Sequence, residues 1–354
     1  PGHHTPGWVD PAPEAGSGGL RLVRGVLAGW PSETHDPREF GEMLTFYLGA
    51  PSPALRSGGH VGASIPTTDA GLQVCDAHGT CLRRCHLPVV TYDGVHDELM
   101  EMWEELLREA HVVHDPEPST IFTSLIPAAV LMDSRNPPGI IPDFWADVAM
   151  PAYGTAVPGT AARRQDGVLR RYFFDVKGLQ GGGRAYAGTR AQSGAVTARA
   201  ARVDGEYRRH AQRLDQAHSP AMTTPIADRL RQYGEVRGLT HGAYAEASPD
   251  VHHLTSALAD SIARRVWRSW GAASVTEARA FVITRLRRII GVTGARAMAR
   301  HFLRRLPFVG LSRADMDRRR RDMAARAIAR RSGHTGVDGL RAEDFHPAPL
   351  ARGE

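Results

Sequence analysis

The sequence predicts an α/β (α+β) fold, with a small mixed sheet flanked by helices and basic helices added at the C-terminal end. Three observations predict it. An amphipathic helix pattern precedes two short apolar segments of strand character, helix and strand signals alternate after them, and arginine accumulates beyond residue 261. Helices covering a small sheet bury the apolar side of both.

Residues 1–39 are rich in Gly, Pro and His, carry little periodicity and read as a linker or fragmentary end. The chain begins at Pro1 rather than Met, so an upstream segment is expected. Phe40–Leu48 suits a short amphipathic helix, and Ala50–Asp69, with its Pro, Gly and Ser, reads as loop. The cysteine cluster follows, so 40–90 forms a small region of its own. Within 91–272, Asp93–Ala110 places Leu99, Trp103, Leu106, Leu107 and Ala110 on one helical face and several glutamates off it. Ile140–Met150 and Leu169–Leu179 read as strands whose Gly-, Pro- and Arg-containing connection closes a hairpin. Ala195–His218 is helical, Val236–Tyr244 a further strand, and Val251–Trp270 a helix with Leu254, Leu258 and Ile262 four apart. Thr276–Arg305 and Ser312–Arg331 are basic helices of an Arg-rich extension over 273–333, and 334–354 has the composition of a disordered tail.

Composition excludes several classes. With 354 residues, 42% hydrophobic and 23% charged, and a mean hydropathy of −0.32, the chain has the makeup of a water-soluble globular protein. The longest nearly apolar stretch, Ile121–Met132, is too short for a bilayer, so no membrane association is expected. Three cysteines cannot make a disulfide framework; they point to a reducing compartment or to a small metal site. Ser261–Arg331 holds 19 arginines against four acidic residues, a net +15, which leaves −9 for the rest of a chain whose total is +6. Such a block suits a polyanion, each guanidinium neutralising a phosphate, or else forms a solvated basic surface.

Of the 44 basic residues only Lys177 is lysine. A chain that uses arginine wherever a generic positive charge is enough has kept one compact, rotatable ammonium. Its surroundings give it a use. IIPDFWADVAM places Asp143 on the first strand, and RRYFFDVKGL places Asp175 and Lys177 on one face of the second, with Phe174 and Val176 on the other. If the strands pair, two carboxylates and an amine converge. Hard carboxylate oxygens suit Mg²⁺ beside a scissile phosphate, and the ammonium suits orienting the water and offsetting transition-state charge.

These residues resemble the restriction-endonuclease-like nucleases, whose pattern is Pro-Asp, a variable gap, then Asp or Glu, any residue, and Lys. Here the pattern is Pro142-Asp143 and Asp175-Val176-Lys177, the aspartates 32 positions apart. The wider order, LTFYLGAPSPAL, VCDAHGTCLRRC, GVHDELMEMWEELLREA, the two motif strands, then AVTARAARVDGEYRRHAQRLDQ and GEVRGLTHGAYAEAS, is similar to the region downstream of the polymerase in non-LTR retrotransposon and related reverse-transcriptase polyproteins. The resemblance covers roughly residues 40–310. It implies a restriction-endonuclease-like core with Asp143 and Asp175 as Mg²⁺ ligands and Lys177 orienting the nucleophile. It implies metal-dependent nicking of target DNA beside a reverse-transcriptase domain or its RNA, with the Arg-rich C-terminal helices holding the DNA backbone. An inactive nucleic-acid-binding module, or an interaction domain of a polyprotein, would keep the fold without the chemistry.

The resemblance also implies a zinc knuckle. Cys75, His78, Cys81 and Cys85 lie within eleven positions and could bind Zn²⁺ with irregular spacing, but the family's upstream cysteine pair is missing, so a decayed site with buried cysteines is the competing reading. Other residues rank lower. Asp147 shares Asp143's strand face and could replace or assist it, though it reads first as a solvated acid; Glu98 or Glu101 could supply a helical acid to the metal, though they read first as surface glutamates; His96 could begin the helix near the site, though it reads first as an N-terminal packing or capping residue. Gln180 could touch substrate, though it reads first as solvated surface, and Gly181–Gly183, without the following helix and lysine of a phosphate loop, reads as a flexible loop.

Overall fold

The computed structural model describes residues 36–68, 71–84, 87, 93–116, 142–150, 169–179, 192–218, 225–232, 234–319, 321, 322 and 325. The expected linker up to residue 35, the tail over 334–354, Cys85, Gln180 and Gly181–Gly183 lie outside them. Among the described residues, no helix is long and apolar enough to cross a membrane.

The first helix, α1 (Pro37–Tyr47), starts where the Asp36 side chain accepts the Arg38 N–H and Pro37 presets the first turn. The segment Ala50–Asp69, expected to be loop, instead contains α2 (Pro53–Ser57) and strand β1 (Ser64–Pro66). The cue was local: Ser52 caps α2 through the Leu55 N–H, and Pro53 follows at its first position. β1 pairs antiparallel with β2 (Leu72–Val74), and α3 (Thr80–Arg84) follows. Leu55, Ile65, Cys75, Cys81 and Leu82 form a small core closed by Phe302, Leu306, Phe308 and Met316 from the far end of the chain. Gly79, at φ +65°, is required at that junction, because a Cβ there would stand 2.5 Å from the Phe302 ring.

The main body begins with α4 (Asp93–Glu109), which buries Leu99, Trp103, Leu106 and Leu107, with Ala110 just beyond it, as its spacing predicts. Then come β3 (His114–Pro116), β4 (Phe144–Val148), β5 (Arg170–Gly178), α5 (Gln192–His218), α6 (Ile226–Gln232), β6 (Val236–His241), α7 (Pro249–Val266) and α8 (Val275–Arg305). The strands form one sheet in the order β3-β4-β5-β6, with β3/β4 and β4/β5 antiparallel and β5/β6 parallel. A parallel neighbour needs a crossover, and α5 with α6 supplies it. Both β3 and α6 are too short to announce themselves in the sequence.

Alternation along the strands divides the sheet into two faces. Phe144, Ala146, Val148, Phe174, Val176 and Leu239 pack with α4, α7 and α8 in the largest core. Phe173 and Val236 pack on the other face with Val203, Ala211, Leu214, Ile226 and Leu230 from α5 and α6, flanked by Trp145 and Tyr207. Gly238 permits this second layer, since a Cβ at that position would lie 2.8 Å from both Ala200 Cα and Val203 Cγ2. Far from being a peripheral basic extension, α8 contributes Val282, Leu286, Ile289 and Ile290 to the largest core. The second basic helix is helical over 313–319.

Two buried histidines make the fold acid-sensitive. Burial pushes His241 and His301 down to about 3, and Trp103 Nε1 donates to His241 Nε2 at 3.1 Å, which requires that nitrogen to be bare. Both are neutral in the fold, while the unfolded chain protonates them near pH 6.5, so stability falls as pH drops from about 6.5 toward 3. Each histidine is expected to cost on the order of 2 kcal/mol between pH 7 and pH 5. Urea midpoints at the two pH values check this, and His241→Gln, which keeps an acceptor for Trp103, should remove about half the drop. An unchanged pH dependence in that variant would refute the assignment.

Candidate active site

The three residues singled out by sequence are brought together at one end of the β4/β5 ladder. Phe144 pairs with Phe174, and the ladder runs one residue further through the Asp143 N–H, which donates to the Phe174 carbonyl at 2.9 Å. Asp143 lies just before the first paired residue of β4, close enough for its charge to act on the Asp175 carboxyl. Asp143 Oδ2 also accepts the Val176 N–H at 2.5 Å, so its carboxylate is tied across the strand to the motif itself.

Asp175 and Lys177 point from β5 toward α5, as alternation requires. Lys177 Nζ lies 2.9 Å from Asp175 Oδ1 and 2.8 Å from Oδ2, and Tyr207 of α5 donates its hydroxyl to Oδ1 at 3.0 Å. Asp175 is 4% exposed, whereas the Lys177 side chain is 32% exposed and so borders solvent. Burial raises the Asp175 carboxyl above its ordinary range; Lys177 opposes the shift and the Asp143 charge adds to it. The Tyr207 hydroxyl is pushed up by burial and then by the two aspartates, and it stays a donor.

Of two further partners, sequence reasoning ranked one low and missed the other. His96, read as a packing or capping residue, sits in the first turn of α4 with Nε2 3.0 Å from Asp143 Oδ2. That hydrogen bond raises its pKa above the ordinary imidazole value, against burial and the nearby Lys177 charge. Tyr207 lies on the buried face of the helix after the lysine, where a tyrosine looks like any core aromatic. The cue available for His96 was its position at the start of the helix preceding the motif; for Tyr207 the alternation of β5 gave no register with α5.

The lower-ranked candidates are engaged elsewhere. Asp147, expected as a solvated acid, forms a two-point pair with Arg171, at 3.0 and 3.1 Å, while that guanidinium covers the Trp145 ring. Glu98 is not a surface glutamate: it pairs with Arg300 at 3.1 Å and approaches Arg304 at 3.7 Å. Glu101 is exposed. Cys75 and Cys81 are buried with their sulfurs 3.5 Å apart, and this hydrogen bond together with burial holds the Cys75 thiol above its usual range. Cys75 and Cys81 thus belong to the small core, while His78 is exposed with its backbone N–H bound to Asp76, and Cys85 lies outside the described residues.

Among the described residues, no group of three or more His, Cys, Asp or Glu side chains is placed to hold a metal ion. That does not conflict with a hard cation at the aspartate pair. Mg²⁺ is commonly held by one or two carboxylates, with waters and substrate phosphates completing its shell. The donor set fits such an ion: two carboxylates whose charges interact, one of them buried, with Asp143 Oδ1 accepting no hydrogen bond among the described residues.

The arginines of α8 are less accessible than their number implies. Arg279 pairs with Asp260, Arg285 with Glu109, and Arg300 with Glu39 and Glu98, while Arg305 donates to the Leu82 carbonyl. These pairs bind α8 to α7, α4, α1 and α3, while Arg288 and Arg304 of α8 and Arg313, Arg318, Arg319 and Arg321 beyond it are exposed. Comparison of the chain with protein-family models, with curated proteins and with solved structures returns no significant match.

Proposed function

We propose that the chain is a metal-dependent DNA endonuclease with a restriction-endonuclease-like core, from a retrotransposon-type mobile element, acting by phosphodiester hydrolysis. The observation that carries this reading is the meeting of two carboxylates and the only ammonium side chain of the protein at one end of the β4/β5 ladder. The element order supports it: the resemblance calls for an acidic helix before the motif strands and a helix and strand after the lysine, matching α4, β4, β5, α5 and β6.

A divalent cation such as Mg²⁺, held by Asp143 and Asp175, would supply Lewis-acid activation of a water and offset charge on the phosphate. The chain's residues prepare the place for it. His96 and the Val176 N–H orient Asp143, and Tyr207 and Lys177 orient Asp175. Lys177, at the solvent edge of the pair, orients the attacking water and stabilises charge developing on the phosphate oxygens. The nick leaves a 3′ end for a partner reverse transcriptase.

Supercoiled plasmid incubated with the whole chain tests this. Nicked circles are expected with Mg²⁺, none in chelator, and a loss of at least about a hundredfold in Asp143→Asn. Failure of the unaltered chain to nick in Mg²⁺, or equal nicking by Asp143→Asn, overturns the reading; the first result with DNA binding retained favours the inactive nucleic-acid-binding module.

A further inference from the structure

α5 carries five arginines and three carboxylates, and their pairing leaves charge on one side of the helix. Asp204 pairs with Arg208 at 2.5 Å and accepts the Val236 N–H with its other oxygen. Glu206 pairs with Arg199 at 2.9 Å, and Asp215 accepts the Ile226 and Ala227 N–H groups that open α6. Arg202, Arg209 and Arg213 are exposed, and among the described residues none of them meets a carboxylate. Arg209 donates to the Gly205 carbonyl of its own helix, and Arg213 lies 3.5 Å from His210, whose pKa is lowered by burial and by that guanidinium.

At 3.6 residues per turn, the three fall within about 40° of one another around the axis and span about 17 Å. Tyr207 lies about 140° from Arg202, on the side that faces Asp175. One helix therefore touches the aspartate pair with its inner side and presents a row of unneutralised guanidinium groups outward. Ala198 and Gly205 flank the row on one side and the Arg199–Glu206 ion pair on the other, and the row has none of the aromatic platforms on which single strands stack.

We infer that Arg202, Arg209 and Arg213 form a docking surface for the phosphate backbone of duplex DNA. This rests on the nuclease reading for the choice of DNA; the surface itself rests on charge complementarity. Its length matches about five base-pair steps of a duplex at 3.4 Å per phosphate along each strand. Guanidinium groups suit phosphate oxygens by their fork of donors.

The test is fluorescence anisotropy of the whole chain with a labelled duplex, without divalent cation, over a range of salt concentrations. The combined variant Arg202→Gln, Arg209→Gln, Arg213→Gln should reduce the magnitude of the slope of log K against log salt by about 2.7, at about 0.9 for each phosphate that is no longer neutralised. Affinity should fall at least about tenfold, with an unchanged thermal melt. Arg264→Gln with Arg268→Gln, exposed at the C-terminal end of α7 across the sheet, should leave the slope unchanged. An unaltered slope in the α5 variant, an equal effect in the α7 variant, or a weakening confined to RNA or single-stranded DNA overturns the proposal. A chain that binds duplex through this row yet never nicks it in Mg²⁺ refutes the nuclease reading and leaves the surface standing. A chain that nicks with an unaltered slope in the α5 variant refutes the surface alone.

Discussion

Lys177→Ala is expected to lower Mg²⁺-dependent nicking by at least about a hundredfold, while duplex binding changes little. The side chain is 32% exposed, so its removal leaves no large cavity, and the main-chain ladder of β5 with β6 is untouched. The variant lacks an ammonium that stands within 2.9 Å of Asp175 at the solvent edge of the site. Lys177→Arg is expected to rescue little. A planar guanidinium is broader, always protonated and fixed in its donor geometry, whereas orienting a small nucleophile calls for a compact rotatable donor. Single-turnover nicking measured beside anisotropy separates chemistry from binding. A Lys177→Ala protein that cuts at the unaltered rate would reduce the lysine to a counter-ion of Asp175.

Asp250→Ala should cost about 3–5 kcal/mol of stability, the largest single effect expected outside the apolar core. Asp250 stands in the first turn of α7, 6% exposed, and accepts from Arg237 at 3.0 Å; Arg237 is 4% exposed and its guanidinium lies over the Tyr172 ring at 4.6 Å. Deleting the carboxylate removes the acid 3.0 Å from a buried guanidinium, and that group cannot shed its charge by losing a proton. The pair holds the β6 strand, parallel neighbour of the motif strand, against α7. Replacing both members by apolar residues of similar size should recover most of the stability, because two charges no longer have to be desolvated. Urea unfolding with an unchanged m-value is the measurement. A cost below about 1 kcal/mol for Asp250→Ala would mean that Arg237 reaches water or another partner when Asp250 is gone.

Much of this architecture is legible in the sequence because it depends on short-range periodicity. The repeat of Leu99, Trp103 and Leu106 marks α4, and the alternation of Phe174, Asp175, Val176 and Lys177 assigns β5 its two faces without any tertiary knowledge. Short elements were not legible: three residues of β3 or five of α2 carry too little of either pattern to stand out. Tyr207 was missed, and His96 ranked low, for another reason. Each lies on a helix, and which side chain of a helix meets a given strand residue depends on how the helix is set down. That is governed here by close approaches such as Gly238 beneath Ala200 and Val203.

Charge gives the clearest division between what sequence and structure determine. From the sequence by itself come the number of arginines, their concentration beyond residue 261, the singularity of Lys177 and the spacing that sets it beside Asp175. Only the tertiary structure decided which arginines are neutralised. Arg279, Arg285 and Arg300 of α8 meet Asp260, Glu109, Glu39 and Glu98 from distant segments, while Arg202, Arg209 and Arg213 of α5 meet no carboxylate among the described residues. The physical reason is that side-chain alternation is a property of neighbouring residues, whereas ion pairing falls off within a few ångströms and joins groups that folding alone brings together.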